Sequence, residues 1–532
     1  MRRIFVILFS LSFHSVLAQS PIAMQPIAGD VDFAGTFGEL RSHHFHSGVD
    51  IRTGGQTGWP VRAVQDGYLS RMVVRPDGFG WALYLRHPNG YTSVYAHLED
   101  FKPEWHALLL QRAEAARSNR LDLYFSEGHY PVKAGDTIAW SGNSGGSAGP
   151  HLHFEWRDTR TEEPLNPFSF GMNYGDDSYP PKILALHTAD GQKAVVSAGV
   201  WSQVLSVHSW QELSAEIRDK KHPQGLNLGI QALEVSWTWG DAQTQHGFEM
   251  DRFSFDDTRA ADGLMQPKVH QRTGLRTYRL APSLGPAPIW SDPAIPITRP
   301  GSYTVTITAR AANGDVVQAS GPVELLDGTG FPWADPELSG KVDLQSGRLV
   351  AEDFQVVWNR NSFTDPVVPT LTKVADRKWQ AAPDVPVLKA VTCYWTPPAD
   401  YPAEWRSKTV LIGRDPRGSY RIVGEPQSNG GIRFAIKLFG TFSITQDTEA
   451  PTFSSLRSGS FQGQPAWYIS LKDNLLDVTD YQAFVNNAWT WAYYDSKNHR
   501  LYIPKQQHSG GTLRLTAEDE AGNRSTFESL LP

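Results

Sequence analysis

The chain has 532 residues, of which 40% are hydrophobic, and its 49 Lys and Arg against 56 Asp and Glu give a formal net charge of −7. This length predicts several domains, each large enough to bury a core of its own. The acidic balance argues against nucleic acid as a partner. The single cysteine, Cys393, excludes an internal disulfide bond, and we expect it to be buried as a small hydrophobic residue.

The first 18 residues predict a cleavable secretory signal peptide. A short basic start precedes an apolar run that is too short to span a bilayer, and Val16 and Ala18 then stand before Gln19 as a cleavage site. No cysteine follows the apolar run, so a lipoprotein anchor is not indicated. We therefore expect export to the periplasm, the cell surface or the medium, without a transmembrane anchor.

Residues 59–100 predict a compact antiparallel β structure. Three β-rich runs alternate with two turn sequences, at 67–74, 76–80, 81–85, 88–90 and 91–95. His97 comes just after the last run, a position where side chains on a β scaffold often carry function.

A stretch rich in helix formers interrupts this β pattern at about 102–131 and begins near Pro103. We expect a helical insertion between two β segments. It forms either one wall of a substrate groove or a surface decoration, and His106 and His129 within it are expected to lie at the surface.

Three separated histidine motifs are the most informative feature of the chain: His46-Ser-Gly-Val-Asp50, Tyr95-Ala-His97-Leu98 and Pro150-His151-Leu-His153. Residues two apart on a strand share a face, so His151 and His153 are predicted to look into one cleft together with Glu155. Imidazole and carboxylate groups are ligands that Zn²⁺ prefers, and three protein ligands leave one position for water. The motifs therefore predict a mononuclear zinc hydrolase site with one Zn²⁺ per chain.

The order of these motifs, together with the run 132–145 before Gly149-Pro-His-Leu-His-Phe-Glu155, resembles the lysostaphin/LytM-type zinc metallopeptidases. The resemblance covers about residues 27–170. It implies the duplicated hybrid motif fold and a substrate in the peptide cross-links of bacterial peptidoglycan, without naming the bond. It also implies roles for five residues: His46, Asp50 and His153 as zinc ligands, and His97 and His151 as catalytic histidines that do not bind the metal.

In such a site, zinc acts as a Lewis acid that activates water for attack on a carbonyl. The sequence has no HExxH glutamate, so His151 is the natural candidate for the base, and His97 would then stabilise the developing oxyanion. The two roles can be exchanged, since the tautomers are not visible in a sequence. Glu155 is either a carboxylate that orients a zinc-binding imidazole or a solvated strand residue. His43 and His44 are expected at the surface or behind the site.

The remaining chain is β in character. Alternating runs such as 302–309 and 511–517 lead into turn sequences, which favours β-sandwiches. We predict a mainly β protein: a compact antiparallel catalytic domain over 19–175, then immunoglobulin-like β-sandwich domains. Their expected ranges are 181–332 for a β-sandwich, 333–447 for a β-rich domain that is either separate or part of its neighbours, and 448–532 for a C-terminal immunoglobulin-like domain.

Two functional interpretations follow from these motifs. The first is a secreted zinc metalloendopeptidase that acts on peptidoglycan. The alternative is a latent or non-catalytic protein of the same fold that binds the cell wall or activates other cell-wall hydrolases. An autoinhibitory intramolecular contact, from the first residues or from the β-domains, is compatible with either.

Overall fold

The computed structural model describes residues 22–29, 31–282, 299–326, 346–360, 362–363, 368–383, 386–415, 418–505, 508 and 510–531. The predicted signal peptide and the predicted boundary at 332–333 lie outside the described residues. The described part is dominated by β-strands, which confirms the predicted mainly β class. Within it, no helix combines the length and the hydropathy that crossing a membrane requires.

The N-terminal unit (residues 22–175) contains strands in the places where the sequence predicted them and several short ones besides. In chain order they are β1 (Phe33–Gly35), β2 (Leu40–Arg41), β3 (His44–Phe45), β4 (Val49–Arg52), β5 (Pro60–Arg62), β6 (Gly67–Val74), β7 (Trp81–Arg86), β8 (Tyr91–Ala96), β9 (Leu98–Phe101), β10 (Leu121–Tyr124), β11 (Pro131–Val132), β12 (Thr137–Ser141), β13 (His151–Asp158) and β14 (Pro164–Leu165).

One nine-stranded antiparallel sheet organises this unit. Its strand order is β1-β4-β13-β8-β7-β6-β10, with β11 paired to β6 and β14 paired to β13. Strands β5, β12 and β9 form a separate three-stranded sheet, and β2 and β3 form a short hairpin. The central position of β13, between β4 and β8, joins three parts of the chain that lie far apart in sequence.

The predicted helical insertion contains one helix, α1 (Pro103–Ala116), which has proline in its first turn and ends at Arg117 in the left-handed region. It buries Trp105, Leu108 and Leu109 against the unit. The insertion then returns as strand β10, which extends the main sheet by pairing with β6. The predicted insertion at about 102–131 therefore contains one helix and one strand at the edge of the main sheet.

The second unit (residues 181–326) has one four-stranded and one five-stranded sheet. Its strands are β15 (Lys182–His187), β16 (Lys193–Val195), β17 (Leu205–Val207), β18 (Ser214–Arg218), β19 (Ala232–Trp239), β20 (Ala242–Glu249), β21 (Tyr278–Arg279), β22 (Gly301–Arg310) and β23 (Val316–Leu325), with helices α2 (Ala261–Leu264) and α3 (Pro267–Thr273).

The third unit (residues 346–447) pairs two five-stranded sheets, and the C-terminal unit (residues 448–531) has a five-stranded and a four-stranded sheet. Their strands are β24 (Gly347–Ala351), β25 (Phe354–Trp358), β26 (Thr370–Ala375), β27 (Lys378–Ala382), β28 (Pro386–Trp395), β29 (Thr409–Asp415), β30 (Gly418–Val423), β31 (Glu425–Pro426), β32 (Ile432–Leu438), β33 (Thr441–Gln446), β34 (Thr452–Phe453), β35 (Arg457–Phe461), β36 (Gln464–Lys472), β37 (Val478–Val485), β38 (Ala488–Thr490), β39 (Tyr493–Asp495), β40 (Arg500–Pro504), β41 (Gly511–Asp519) and β42 (Arg524–Leu531). Short 3₁₀ helices occur at Pro167–Phe170, Trp210–Glu212, Phe255–Ala260 and Ala403–Lys408.

The buried apolar residues form three large clusters. The third and C-terminal units have their own cores, and Cys393 is fully buried in the first of these, as expected. The N-terminal and second units instead share one cluster, which contains residues from Ile22 to Leu325 and also Trp491 and Tyr493 of the C-terminal unit. Phe253 of the second unit packs on Phe37 and Phe45 with ring centroids 5.5 and 5.4 Å apart. The two units therefore support each other through a common core.

The C-terminal unit folds back onto the N-terminal unit. Asn119, just after α1, is buried between them: its amide donates to Tyr481 O and its carbonyl oxygen accepts from Ala492 N, both at 2.9 Å. Trp491 meets Trp81 edge to face with ring centroids 5.9 Å apart. A segment more than 300 residues away in sequence thus helps to hold the sheet that carries the histidine motifs.

Candidate metal centre

The strand register explains how the three histidine motifs meet. On β13, His153 lies opposite Asp50 of β4 on one side and opposite Ala96 of β8 on the other. His97 follows Ala96 directly, and the bend at Gly48 lies between His46 and Asp50, whose side chains are in contact. Hydrogen bonds between three neighbouring strands therefore place all five predicted site residues around one point.

Three side-chain atoms converge at the centre. His46 Nε2 lies 3.1 Å from Asp50 Oδ1 and 3.1 Å from His153 Nδ1, and His153 Nδ1 lies 2.9 Å from Asp50 Oδ1. These three residues are buried and form a group whose ligand atoms can hold a metal ion. A tetrahedral zinc ion, with bonds of about 2.0–2.1 Å, separates its ligand atoms by roughly 3.3 Å. The observed spacing fits such an ion.

The hydrogen bonds behind these atoms set which ring nitrogen faces the centre. His46 Nδ1 donates to the carbonyl oxygen of Thr36 at 2.8 Å, so its Nε2 carries the lone pair. His153 Nε2 bonds Glu155 Oε1 at 3.0 Å, so its Nδ1 carries the lone pair in the neutral ring. Two lone pairs and a carboxylate oxygen then face one another, an arrangement that needs a positive charge between them. The residues present therefore fit a divalent metal ion.

The pKa values of His153 and Asp50 agree with a centre that attracts positive charge, whereas that of His46 reflects its burial. Burial lowers the pKa of His153, but its bonds to Asp50 and Glu155 outweigh burial and raise that pKa to about 9. Burial lowers the pKa of His46 to about 4. Burial would raise the pKa of Asp50, yet His46 and the neighbouring histidines hold it well below its usual range.

Glu155 is fully buried, so it is not a solvated strand residue. Its bond to His153 fits the other interpretation, a carboxylate that orients an imidazole. Besides His153 it accepts hydrogen bonds from Ser47 Oγ and from Arg157 Nε, the latter at 2.6 Å. Burial alone would raise the pKa of Glu155, but the Arg157 charge and the bond to His153 lower it to about 2. A permanent negative charge thus stands behind the His153 ring and fixes its orientation.

His97 and His151 stand on the open side of this group. Their ring centroids are 4.8 Å apart, and His97 lies 5.8 Å from the His153 ring. His151 Nε2 is 3.4 Å from Asp50 Oδ1, and its side chain is 14% exposed against 4–7% for the three converging side chains. His151 is therefore the site residue that solvent reaches most easily.

Both of these rings direct Nδ1 at a backbone carbonyl. His97 Nδ1 donates to Ser144 O at 2.9 Å, and His151 Nδ1 donates to Gly149 O at 2.8 Å. Each neutral ring therefore presents an unprotonated Nε2 that can accept a proton. Burial and the neighbouring histidines lower the pKa of His97 to about 3, which keeps this ring neutral.

The loop at residues 141–147, here called the serine loop, holds His97 in place. Ser144 Oγ donates to Leu98 O at 2.7 Å and accepts from Trp81 N at 2.9 Å. His97 itself has a φ of 58° in the left-handed region, with its N–H bonded to Phe79 O at 2.9 Å. Such strained backbone persists only where its surroundings enforce it, and it is concentrated at functional sites.

The sequence indicated the five side chains and Glu155, but not the other supports of the site. Arg41 donates to Asp50 Oδ2 at 2.6 Å and so fixes the carboxylate that faces the centre. The carbonyls of Thr36 and Ser144 select the histidine tautomers, and no side-chain pattern marks a carbonyl for this role. Thr36 is held in turn by the second unit, through hydrogen bonds between its hydroxyl and Gly229.

The other early histidines lie outside the group. His43 pairs with Asp262 Oδ2 of the second unit at 3.0 Å, and His44 is exposed with Nδ1 on Ser42 O. His106 bonds Asp100 Oδ1 at 2.6 Å on the helix side, and His129 is exposed.

Part of the chain is similar to known peptidases. The model of peptidase family M23 matches residues 44–106. The DD-carboxypeptidase/endopeptidase Mpg of Neisseria meningitidis serogroup B is 32% identical over 133 residues, which are 25% of this chain and 24% of that protein. The glycyl-glycine endopeptidase ALE-1 of Staphylococcus capitis is 30% identical over 139 residues, 25% of this chain and 31% of that protein. The chain thus spans about a quarter of the length of the curated relatives that it matches.

Among solved structures, the catalytic domain of lysostaphin from Staphylococcus simulans is 24% identical, with 26% of this chain and 91% of that chain covered and a TM-score of 0.20. A zinc-containing peptidase from Vibrio cholerae is 23% identical, with 29% of this chain and 41% of that chain covered and a TM-score of 0.21. The family match and the sequence relatives confirm the resemblance that the motifs indicated: the chain carries a domain of peptidase family M23.

Proposed function

We propose that this protein is an exported zinc metalloendopeptidase that hydrolyses peptide cross-links of bacterial peptidoglycan. The observation that carries the proposal is the convergence of His46 Nε2, Asp50 Oδ1 and His153 Nδ1 at about 3 Å, with two further imidazoles on the open side. The names of the relatives, a DD-carboxypeptidase/endopeptidase and a glycyl-glycine endopeptidase, support a peptide substrate of the cell wall.

In this proposal His46, Asp50 and His153 hold one Zn²⁺. When bound, zinc supplies a Lewis acid that polarises the scissile carbonyl and lowers the pKa of water. Three protein ligands leave room for water and substrate, as catalytic zinc sites require. Arg41 and Glu155 keep Asp50 and His153 in the orientation that binding needs.

The chain's own residues move the protons. His151 is the more exposed of the two free imidazoles, so we assign it to accept a proton from the attacking water at Nε2. The imidazolium so formed can then donate that proton to the leaving amine. With Nδ1–H bonded to Ser144 O, the neutral His97 ring has no hydrogen at Nε2 to donate to an oxyanion. In place of the expected oxyanion contact, we therefore assign Nε2 of His97 to accept a hydrogen bond that orients the water or a substrate N–H.

We further propose that the units after residue 181 position the substrate. Lys497 of the C-terminal unit donates to the oxygens of Asn143 and Ser147 in the serine loop. Ser147 Oγ lies 3.1 Å from His151 Nδ1. The C-terminal unit therefore supports a wall of the site, and the predicted ranges 19–175, 181–332, 333–447 and 448–532 remain our proposal for the domains.

Digestion of purified peptidoglycan tests this function. The protein should release muropeptides in a reaction that a chelator stops, and mass spectrometry of the products should name the bond. His151→Ala should abolish release while metal analysis still finds one zinc per chain, whereas His46→Ala and Asp50→Ala should lose both zinc and activity. His44→Ala, which removes an exposed imidazole outside the site, is the matched control and should behave as the parent protein.

The result also separates the two interpretations of the sequence. A protein that carries one zinc but cleaves no peptidoglycan would contradict the endopeptidase proposal and favour the latent or activating protein. Addition of this zinc-loaded protein to another cell-wall hydrolase would then measure activation. We assign His153 as the zinc ligand on β13 and His151 as a residue that does not bind zinc. Loss of zinc from His151→Ala would contradict this assignment.

A further inference from the structure

A group of acidic side chains lies outside the histidine site, where the third unit meets the C-terminal unit. Asp447, Asp473 and Asp519 each offer a carboxylate oxygen, and these oxygens lie within 4.8 Å of one another. Asp447 follows β33, Asp473 follows β36, and Asp519 ends β41. Three separate chain segments therefore bring negative charge to one point.

Two carboxylate oxygens in this group are buried without a hydrogen-bond partner among the described residues: Asp447 Oδ2 and Asp473 Oδ2. Asp447 is 1% exposed, and only its Oδ1 is bonded, to Glu449 N at 3.3 Å. Asp473 Oδ1 accepts from Leu475 N at 2.9 Å and Leu476 N at 2.7 Å. The bonded oxygens thus fix each carboxylate, while the free oxygens are available to a ligand.

Asp519 completes the group and is also 1% exposed. Both of its oxygens accept from Asn523, Oδ1 from the backbone N–H at 2.9 Å and Oδ2 from the side-chain amide at 2.8 Å. The same amide donates to Asp447 O at 3.1 Å, and Lys408 donates to the Asn523 carbonyl oxygen. Asn523 therefore links Asp447 to Asp519 by hydrogen bonds, and its carbonyl oxygen binds the Lys408 ammonium group.

Such burial is costly without a counter-charge. An ionised carboxylate taken out of water must be paired, must bind a metal or must take up a proton. A bound divalent cation would relieve the repulsion at neutral pH.

We propose that Asp447, Asp473 and Asp519 bind a calcium ion at this junction. Carboxylate oxygens are ligands for hard cations, and calcium accepts the irregular geometry of ligands on separate loops, whereas magnesium demands a near-ideal octahedron. Three carboxylates also supply the high ligand charge that strengthens calcium binding. This site is separate from the histidine centre and does not depend on the proposed peptidase activity.

The ion would fix the C-terminal unit on the third unit. Beside the carboxylates, Val410 of the third unit packs with Leu476 and Ala521 of the C-terminal unit in a small apolar cluster. Leu476 and Ala521 belong to the same two loops as Asp473 and Asp519. Calcium would thus order both loops and hold this apolar contact closed.

The test uses the complete chain, stripped with a chelator and reloaded with zinc, and titrated with calcium chloride. Calorimetry should show calcium binding, and calcium should raise the unfolding temperature by mass action. Asp473→Asn should weaken calcium binding by about tenfold or more and remove most of the thermal shift, because it deletes one of three charges. Without calcium, the same variant should unfold at a higher temperature than the parent protein, since it also removes a repelling charge.

Asp480→Asn is the matched control, because it makes the same chemical change at an exposed residue of the neighbouring strand β37. It should bind calcium as the parent protein does. Hydrogen exchange should locate calcium-dependent protection in residues 447–451, 473–477 and 519–523. A variant of a second ligand, Asp447→Asn, should repeat the loss of binding.

Three results would overturn the proposal. The first is no calcium binding up to about 10 mM, well above the roughly millimolar dissociation constants of weak protein sites. The second is unchanged binding in both Asp473→Asn and Asp447→Asn. The third is an equal thermal shift with magnesium, which would remove the assignment to calcium.

Discussion

Replacement of Gly80 by alanine should reduce turnover without loss of metal. Gly80 has a φ of 64° and lies against the serine loop, where an added Cβ would come within 2.5 Å of Gly145 N and of the Ser144 carbonyl carbon. Backbone atoms cannot move aside as a flexible side chain can. The loop must therefore shift, and with it the Ser144 carbonyl that holds His97.

The neighbouring Gly78 provides the control. It has a φ of 54°, but a Cβ added there meets nothing within 4 Å. Both alanine variants incur the left-handed backbone cost of about 1–2 kcal/mol. Gly80→Ala adds an overpacking cost of about 1–3 kcal/mol. We therefore expect the free energy of unfolding to fall by about 1–2 kcal/mol for Gly78→Ala and by about 2–5 kcal/mol for Gly80→Ala.

Turnover should separate the two variants more strongly than stability does. A displacement of about 1 Å at a catalytic group can cost on the order of 100-fold in rate. The converging residues His46, Asp50 and His153 lie on β4, on β13 and in the segment before β4, and none of them belongs to the serine loop, so zinc content should not change. Muropeptide release, zinc content and thermal unfolding should be measured on the same preparations. Equal turnover in the two variants, or loss of zinc from Gly80→Ala, would refute this reasoning.

Three further predictions concern the supports of the site and the second unit. Glu155→Gln should weaken zinc binding by about 10–100-fold in a chelator competition, because the His153 ring loses its charged partner. Lys497→Met should lower turnover at unchanged zinc content by loosening the serine loop, whereas Lys505→Met, which removes a lysine bonded to Ser458 within the C-terminal unit, should not. Asp219 is buried near the charges of Asp177 and Asp315, and its pKa is raised from 3.8 to about 7. The folded state therefore binds this proton more tightly than the unfolded state, so the stability from Asp219 is present below about pH 4 and is lost as the pH rises through 7. Asp219→Asn should flatten this part of the curve of unfolding free energy against pH, and an unchanged curve would contradict the assignment.

Local patterns in the sequence were sufficient for the elements that carry the site. The period-two alternation around His151 and His153 predicted a strand, which the structure shows as β13 with both rings towards Asp50. Turn sequences between β-rich runs located β6, β7 and β8. These features depend on neighbours within a few residues, where side-chain type decides backbone conformation.

The second acidic group shows what local patterns do not reveal. In the sequence, Asp447, Asp473 and Asp519 each look like an ordinary turn or strand-end residue, and Asp447 is the last residue of the predicted range 333–447. Their carboxylates meet because two sheets of the C-terminal unit and one of the third unit end at the same place. Segments separated by tens of residues meet through strand order and packing, which no short window contains.

By itself, the sequence determined the mainly β class, the M23 domain and the set of five residues around the centre, since motif spacing and strand period are local properties. Only the tertiary structure decided how these residues are held. The carbonyls of Thr36 and Ser144 select the tautomers, and a backbone carbonyl is the same group in every residue, so no sequence pattern can mark it. The support from the second and C-terminal units was likewise visible only in the folded chain. The hydrogen bond from Thr36 to Gly229 joins residues 193 positions apart, and the one from Lys497 to Asn143 joins residues 354 positions apart. Such contacts depend on how complete sheets pack together.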